Sequence, residues 1–377
     1  MNTKVVSNTS SRTKYFSIPQ ERFLEPDELR WSEADLVNAS YENHLLNSFS
    51  YIPNPRKYLP VIAGVVPIHP KSCWTLQHGQ LFPAINESFP IERKGFRDLE
   101  ATIRQYASRV RQKKIAVEIS GGLDTALILG ALKMCNVSPL KIGVVSERYE
   151  FRTEAFIQRE IMHLHSDSII LSENETFPFF NIHETPLHTV PDKTSLFYSF
   201  FQKTADALAD QGVQLLLNGV GGDALLAEPI KQISQRWMLN EWWSCEFIFF
   251  PRGIDYRSAF SLFGVRNALS KLRQDKDEDI QKLWARRQFS NWLPRELNLY
   301  SYKSSHDVIF VEGLQDSLEE ILEIARITHK IHKNSKLNPD KIYKLLKNFN
   351  IIDHSKMIEL LASVSFCAWI SVHLKRL

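Results

Sequence analysis

Cysteine is scarce in this chain of 377 residues, with four thiols at Cys73, Cys135, Cys245 and Cys367. They form no Cys-x-x-Cys pair and no metal-finger spacing, which argues against a zinc ribbon or a disulfide framework and fits reduced cytosolic thiols. An excess of one charge is missing too. With 46 basic residues against 43 acidic ones, no global field draws the protein to nucleic acid or to an anionic membrane, so ligand preference must come from a local site. No apolar run approaches membrane-spanning length, and the polar start "MNTKVVSNTSSRTKYF" lacks the apolar core of a signal peptide, so a cytoplasmic protein is expected. Internal repeats are absent. There is no GxxxxGK[ST] motif either, which removes the lysine on which common kinase and GTPase chemistry depends.

What is present is an alternation of apolar strands and helical patterns. Ile115 to Ile119 reads as a strand, followed by Gly121-Gly122 and the helical pattern "LDTALILGALKMC". Ile142 to Val145 and Ser168 to Leu171 are further strands, separated by a helix with Ala155, Phe156, Ile161 and Leu164 on one side. A helix over Ser195 to Gln211 leads to a fourth strand, Val213 to Asn218, which runs into "GVGGD". Such an order implies an α/β fold: a doubly wound parallel sheet covered on both faces. From Glu228 the chain becomes aromatic and then mainly helical, and the charge run Lys271 to Lys282 reads as the solvated face of a helix.

Ligands of open parallel sheets bind beyond the carboxyl ends of the strands, which is where Ser120-Gly121-Gly122 and Gly219-Val220-Gly221-Gly222 fall. A strand that passes through Ser-Gly-Gly into a helix can hold an anion. Glycine permits close backbone approach, and the helix N-terminus carries partial positive charge, so phosphate or pyrophosphate is the natural guest. Asp124, in the first turn, could cap that helix or help hold Mg²⁺, and Ser120 and Thr125 add hydroxyls. The histidines His163, His165, His183 and His188 lack ligand geometry and read as ordinary structural or surface residues.

"SGGLDT", Ser120 to Thr125, resembles the pyrophosphate loop of the PP-loop ATP pyrophosphatases, and "NGVGGDALLA", Asn218 to Ala227, resembles a segment of the asparagine synthetase family. "ERYEFRTEAFIQREIMHLH" and "LPRELNLYSYKSSH" resemble two further stretches of that family, so the similarity runs from about Phe96 to the C-terminus. The resemblance implies an ATP-binding synthetase domain over residues 96–377, and a reduced, β-containing remnant of an amidotransferase-like domain over residues 1–95. It implies ATP and Mg²⁺ as cofactors and carboxylate activation as the chemistry. Ser120, Gly121, Gly122, Asp124, Thr125, Val144, Gly219, Gly221 and Gly222 would hold ATP and its pyrophosphate, Asp124 and Asp223 the metal. Lys303 would neutralise transition-state charge. Glu246 is the candidate base that frees the attacking amine, with Asp255 of "PRGID" as another carboxylate in the region.

Three departures refine the expectation. Thr125 replaces the second serine of the loop, Ala224 stands where an acidic residue is usual, and position 2 is asparagine where a glutaminase has its nucleophilic cysteine. A ligase without its own ammonia source is therefore expected. Its substrates would be a peptide or small-molecule carboxylic acid and an amine, as in lasso-peptide macrolactam and β-lactam synthetases, with a precursor peptide or partner protein as a further expectation. Transfer of free ammonia and a catalytically silent, nucleotide- or partner-binding relative are the alternatives.

Overall fold

The computed structural model describes residues 4–7, 14–17, 19–24, 28, 33–39, 41, 65–68, 73–77, 80–83, 99–145, 153–163, 167–185, 191, 193–227, 245–261, 269, 272, 282–295, 297, 307–347 and 354–375. Among the described residues, six short strands lie near the N-terminus: β1 (Lys4–Ser7), β2 (Lys14–Ser17), β3 (Arg22–Leu24), β4 (Val65–Ile68), β5 (Cys73–Gln77) and β6 (Gln80–Pro83). They pair antiparallel in two sheets, ordered β1-β5-β6 and β3-β2-β4.

The central sheet is parallel throughout. It holds β7 (Ile115–Glu118), β8 (Leu140–Val144), β9 (Ser168–Leu171), β10 (Leu215–Asn218) and β11 (Asp255–Ser258), in the order β11-β10-β7-β8-β9. The chain moves outward from β7 to β9, then returns to the other side of β7 to lay down β10 and β11. The switch point therefore lies between β7 and β10, and there the crossovers diverge to leave a crevice at the carboxyl ends.

Alternation along β7 explains the layers. Ile115, Val117 and Ile119 pack with helices α1 (Leu99–Val110), α2 (Leu123–Met134) and α3 (Thr153–His163), through Ile103, Ala107, Leu123, Leu127, Ile157 and Ile161. Ala116, with Ile142 and Leu216, packs on the opposite face against α4 (Tyr198–Asp210) and the short helix Cys245–Phe249. Strands apolar on both sides are what a covered parallel sheet requires.

Three sequence expectations need correction. A fifth strand, Asp255–Ser258, joins the sheet as an edge; its sequence DYRS offered no apolar run, because only one flank of an edge strand is paired. In α3, Ile161 faces the core as expected, but Phe156 is 46% exposed, and Ile157 and Met162 join Ile161 in the core. An apolar span of membrane-crossing length does exist. Lys356–Leu374, within α7 (His354–Leu374), runs 19 residues at mean hydropathy 1.6, and 83% of that window is buried inside the fold. It is the core helix of a second hydrophobic core, packed against α5 (Leu318–Ile331), with α6 (Pro339–Lys347) contributing Ile342 and Leu346 to the same core and Ser365, Ser371 and His373 buried among its apolar residues.

Candidate active site

The first glycine turn is shaped by its neighbours. Gly121 has φ +79°, and a Cβ there would lie 2.0 Å from the carbonyl oxygen of Glu154 in the first turn of α3, so only glycine fits. Gln158, one turn further along α3, donates a 2.6 Å buried hydrogen bond to the Ile119 carbonyl, fastening α3 to the strand end. Within the turn, the Ser120 N–H donates to Thr125 Oγ1 at 3.4 Å and the Gly122 N–H to Ser120 Oγ at 3.3 Å, while Thr125 Oγ1 donates to the Gly122 carbonyl at 3.3 Å. Gly122 is the N-cap of α2 and makes no side-chain cap bond, and Asp124 stands in the first turn rather than at the cap position. The N-terminus of a twelve-residue helix is left open at the crevice, as an anion site needs.

The second turn lies directly against the first. Asn218 Oδ1 accepts the Val220 N–H at 3.0 Å, and Ser258 Oγ donates to the Val220 carbonyl at 2.5 Å, which ties the turn to both β10 and β11. A Cβ at Gly222 would stand 2.3 Å from Asp124 Cγ, and one at Gly219 3.0 Å from Thr125 Cγ2. The glycines of this turn thus make room for the aspartate and threonine of the other.

Asp124 and Asp223 converge on one cation, and that cation is a side chain. Lys282 Nζ lies 2.5 Å from Asp124 Oδ1 and 2.8 Å from Asp223 Oδ1. Burial opposes its charge, but Asp124 and then Asp223 outweigh that cost and hold the ammonium above its ordinary range. Lys282 also takes a left-handed backbone, φ +54°, as N-cap of the helix Leu283–Gln288. A charged residue that is both buried and in a sparsely populated backbone region is an expensive arrangement, and such strain concentrates at functional sites. The expectation of a solvated charge run fails at this residue, which is 6% exposed. Nothing local distinguished Lys282 from its charged neighbours, since the partner that turns it inward lies 158 residues away.

On the other face of the sheet edge stands a second polar feature. Continuing the register from Val117↔Leu217 sets Glu118 beside Asn218, on the side that carries Ala116 and Leu216. Glu118 Oε2 and Asn218 Nδ2 are both buried and without a hydrogen-bond partner among the described residues. The Glu118 residue keeps some exposure at its strand end while its Oε2 is sealed, and burial pushes the carboxyl up to about 7. Half-buried Val144 follows on the same face of β8. An acceptor and a donor side by side at a strand edge are suited to a ligand's polar edge.

The remaining expected residues fall elsewhere. Asp255 begins β11, opposite Leu215, at the amino edge of the sheet and pairs with Lys113 at 3.2 Å, so it does not join the glycine turns. Glu246 falls in the helix Cys245–Phe249 with its side chain outside the described set, and Lys303 lies outside the described residues. His183 pairs with Glu320, and no cluster of three metal-ligating side chains occurs among the described residues. No family model matches the chain, and no curated protein matches it.

Proposed function

We propose that the chain is an ATP-dependent, AMP-forming carbon–nitrogen ligase of the asparagine synthetase type, with a PP-loop nucleotide site. One observation carries this reading. Two glycine turns, each followed by an aspartate, meet at the switch point of a parallel sheet, with an open helix N-terminus on one and a shared cation between the aspartates. That is the arrangement needed to grip a polyphosphate and neutralise charge as it leaves.

In the proposed reaction a substrate carboxylate oxygen attacks the α-phosphorus of ATP. The bond from that phosphorus to the bridging oxygen breaks, and pyrophosphate departs with the electron pair. An amine then attacks the acyl carbon, the carbon–oxygen bond to AMP breaks, and the nitrogen gives up a proton to form the amide. Ser120, Gly121 and Gly122 with the start of α2 receive the pyrophosphate. Thr125 fixes the loop, and Gly219, Gly221 and Gly222 let the second turn approach it. Glu118 and Asn218, beside Val144, would offer acceptor and donor to the nucleotide where its binding uncovers their buried atoms. Lys303 as charge neutraliser and Glu246 as base remain part of the proposal on sequence grounds.

The implied Mg²⁺ finds the right donor chemistry in two carboxylates, yet one oxygen of each is engaged by Lys282 Nζ, so the residues do not form a cage for the ion by themselves. The acid and amine are read as a peptide or small natural-product pair, and the location as cytoplasmic, which the buried free thiols of Cys135, Cys245 and Cys367 support. The test is pyrophosphate release by the full chain with ATP, Mg²⁺ and panels of acids and amines. Asp124→Ala is expected to lower turnover by about 100-fold or more, and undiminished turnover in that variant would overturn the site.

A further inference from the structure

We infer that Lys282 is the resident cation of this site, closing Asp124 and Asp223 against divalent metal in the nucleotide-free protein. The geometry carries the inference. Both Oδ1 atoms that would ligate a metal lie within 2.8 Å of one ammonium, which leaves no room for a metal ion between them. The lysine is not a loose surface group that swings in. Its side chain is 8% exposed, its backbone is held left-handed, and Trp284, two residues on, donates from Nε1 to the Leu226 carbonyl at 2.8 Å. That bond ties the segment to the helix Gly222–Leu226, which carries Asp223.

Two consequences follow. One of the pair's two negative charges is already balanced, and the Oδ1 atoms are already engaged before any ligand arrives, so the protein alone has little affinity for a divalent ion. Removing the ammonium takes away the positive charge that Lys282 places between two adjacent carboxylates, and a divalent ion can then take that place. Lys282 is therefore a positioning residue for the aspartates. The inference rests on the proposed site but not on its reaction.

The experiment uses Mn²⁺ without nucleotide, with the full chain as wild type, Lys282→Met, Lys282→Arg and the double variant Lys282→Met/Asp124→Asn. Binding is followed by electron paramagnetic resonance, and melting is followed with and without the ion. Wild type and Lys282→Arg are expected to show no site tighter than about 1 mM. Lys282→Met is expected to bind one Mn²⁺ at least about tenfold more tightly than wild type and to melt higher when the ion is added, and Asp124→Asn should abolish both gains. Equal Mn²⁺ binding by wild type and Lys282→Met overturns the inference. Should Lys282→Met fail to fold, the wild type still decides it: Mn²⁺ binding below about 1 mM that Asp124→Asn removes would overturn the inference, and its absence, with melting of Lys282→Arg unaltered by Mn²⁺, supports it. Because no step uses ATP, the result stands apart from whether pyrophosphate is ever released.

Discussion

Glu118 carries a cost that a titration can expose. Its carboxyl titrates near 4.5 when free and at about 7 when folded, because burial penalises the charged form. Below pH 4.5 the proton is bound in both states and the penalty vanishes. Between those values the unfolded chain has lost a proton that the folded one keeps, so stability falls as pH rises, and above about 7 the loss is complete. The full span is worth roughly 3 kcal/mol. Glu118→Gln removes the titrating group and keeps the shape, so its urea-denaturation stability is expected to stay flat from pH 5 to 8 apart from changes common to both proteins, with the gap over wild type widest at the alkaline end. Parallel curves for the two would refute this account of the residue. A glutamate within an apolar strand run is visible in the sequence, but not that its Oε2 is sealed at the same strand end as an Asn218 Nδ2 that also lacks a partner among the described residues.

Among the elements, the strand–turn–helix unit around Gly121 shows how a backbone carbonyl of one helix sets the residue type in another loop. Two glycines separate the contributions. Gly121 (φ +79°) and Gly253 (φ +74°) both need a left-handed backbone, but an added Cβ meets the Glu154 carbonyl at the first and nothing within 4 Å at the second. Gly253→Ala is expected to cost about 1 kcal/mol, the conformational price alone. Gly121→Ala carries the same cost plus displacement of α3, and should lose at least about 2 kcal/mol more in chemical denaturation, along with any pyrophosphate release. Equal losses would show that α3 yields freely.

This level of structure was largely legible in the sequence. The strands at Ile115, Ile142, Ser168 and Val213 are apolar runs bounded by turns, and the buried faces of a parallel sheet demand that pattern. DYRS of β11 escaped because its burial is partial, and Lys282 escaped because a run of charges does not say which member turns inward. Both are settled by contacts distant in sequence, and periodicity reports only local order.

At the scale of the whole molecule, residues ahead of the parallel sheet are built into the helices that end the chain. Tyr41 is fully buried, and its hydroxyl lies 3.1 Å from the Glu359 carbonyl, to which it donates, and 3.0 Å from Ser363 Oγ. Its ring meets Phe366 edge-on at 5.7 Å, Ala39 offers its carbonyl to His332 Nε2 at 2.8 Å, and Leu36 joins the same core cluster. The Tyr41 hydroxyl contacts span 318 and 322 residues of sequence and the Ala39–His332 contact spans 293, so no local pattern announces them. They carry a prediction about any chain that begins at residue 96. Such a fragment leaves the seats of Leu36, Ala39 and Tyr41 empty beside α7, and the Ser363 hydroxyl loses one of its partners. Tyr41→Phe in the full chain isolates the hydroxyl and is expected to cost about 1 kcal/mol. Tyr41→Ala adds the cavity and should cost about 3–5 kcal/mol. The fragment 96–377, losing Leu36 as well, is expected to be less stable than Tyr41→Ala when both are followed by urea denaturation. If the fragment instead unfolds at the same urea concentration as the full chain, the N-terminal segment only rests on the helices, and the second core is complete without it.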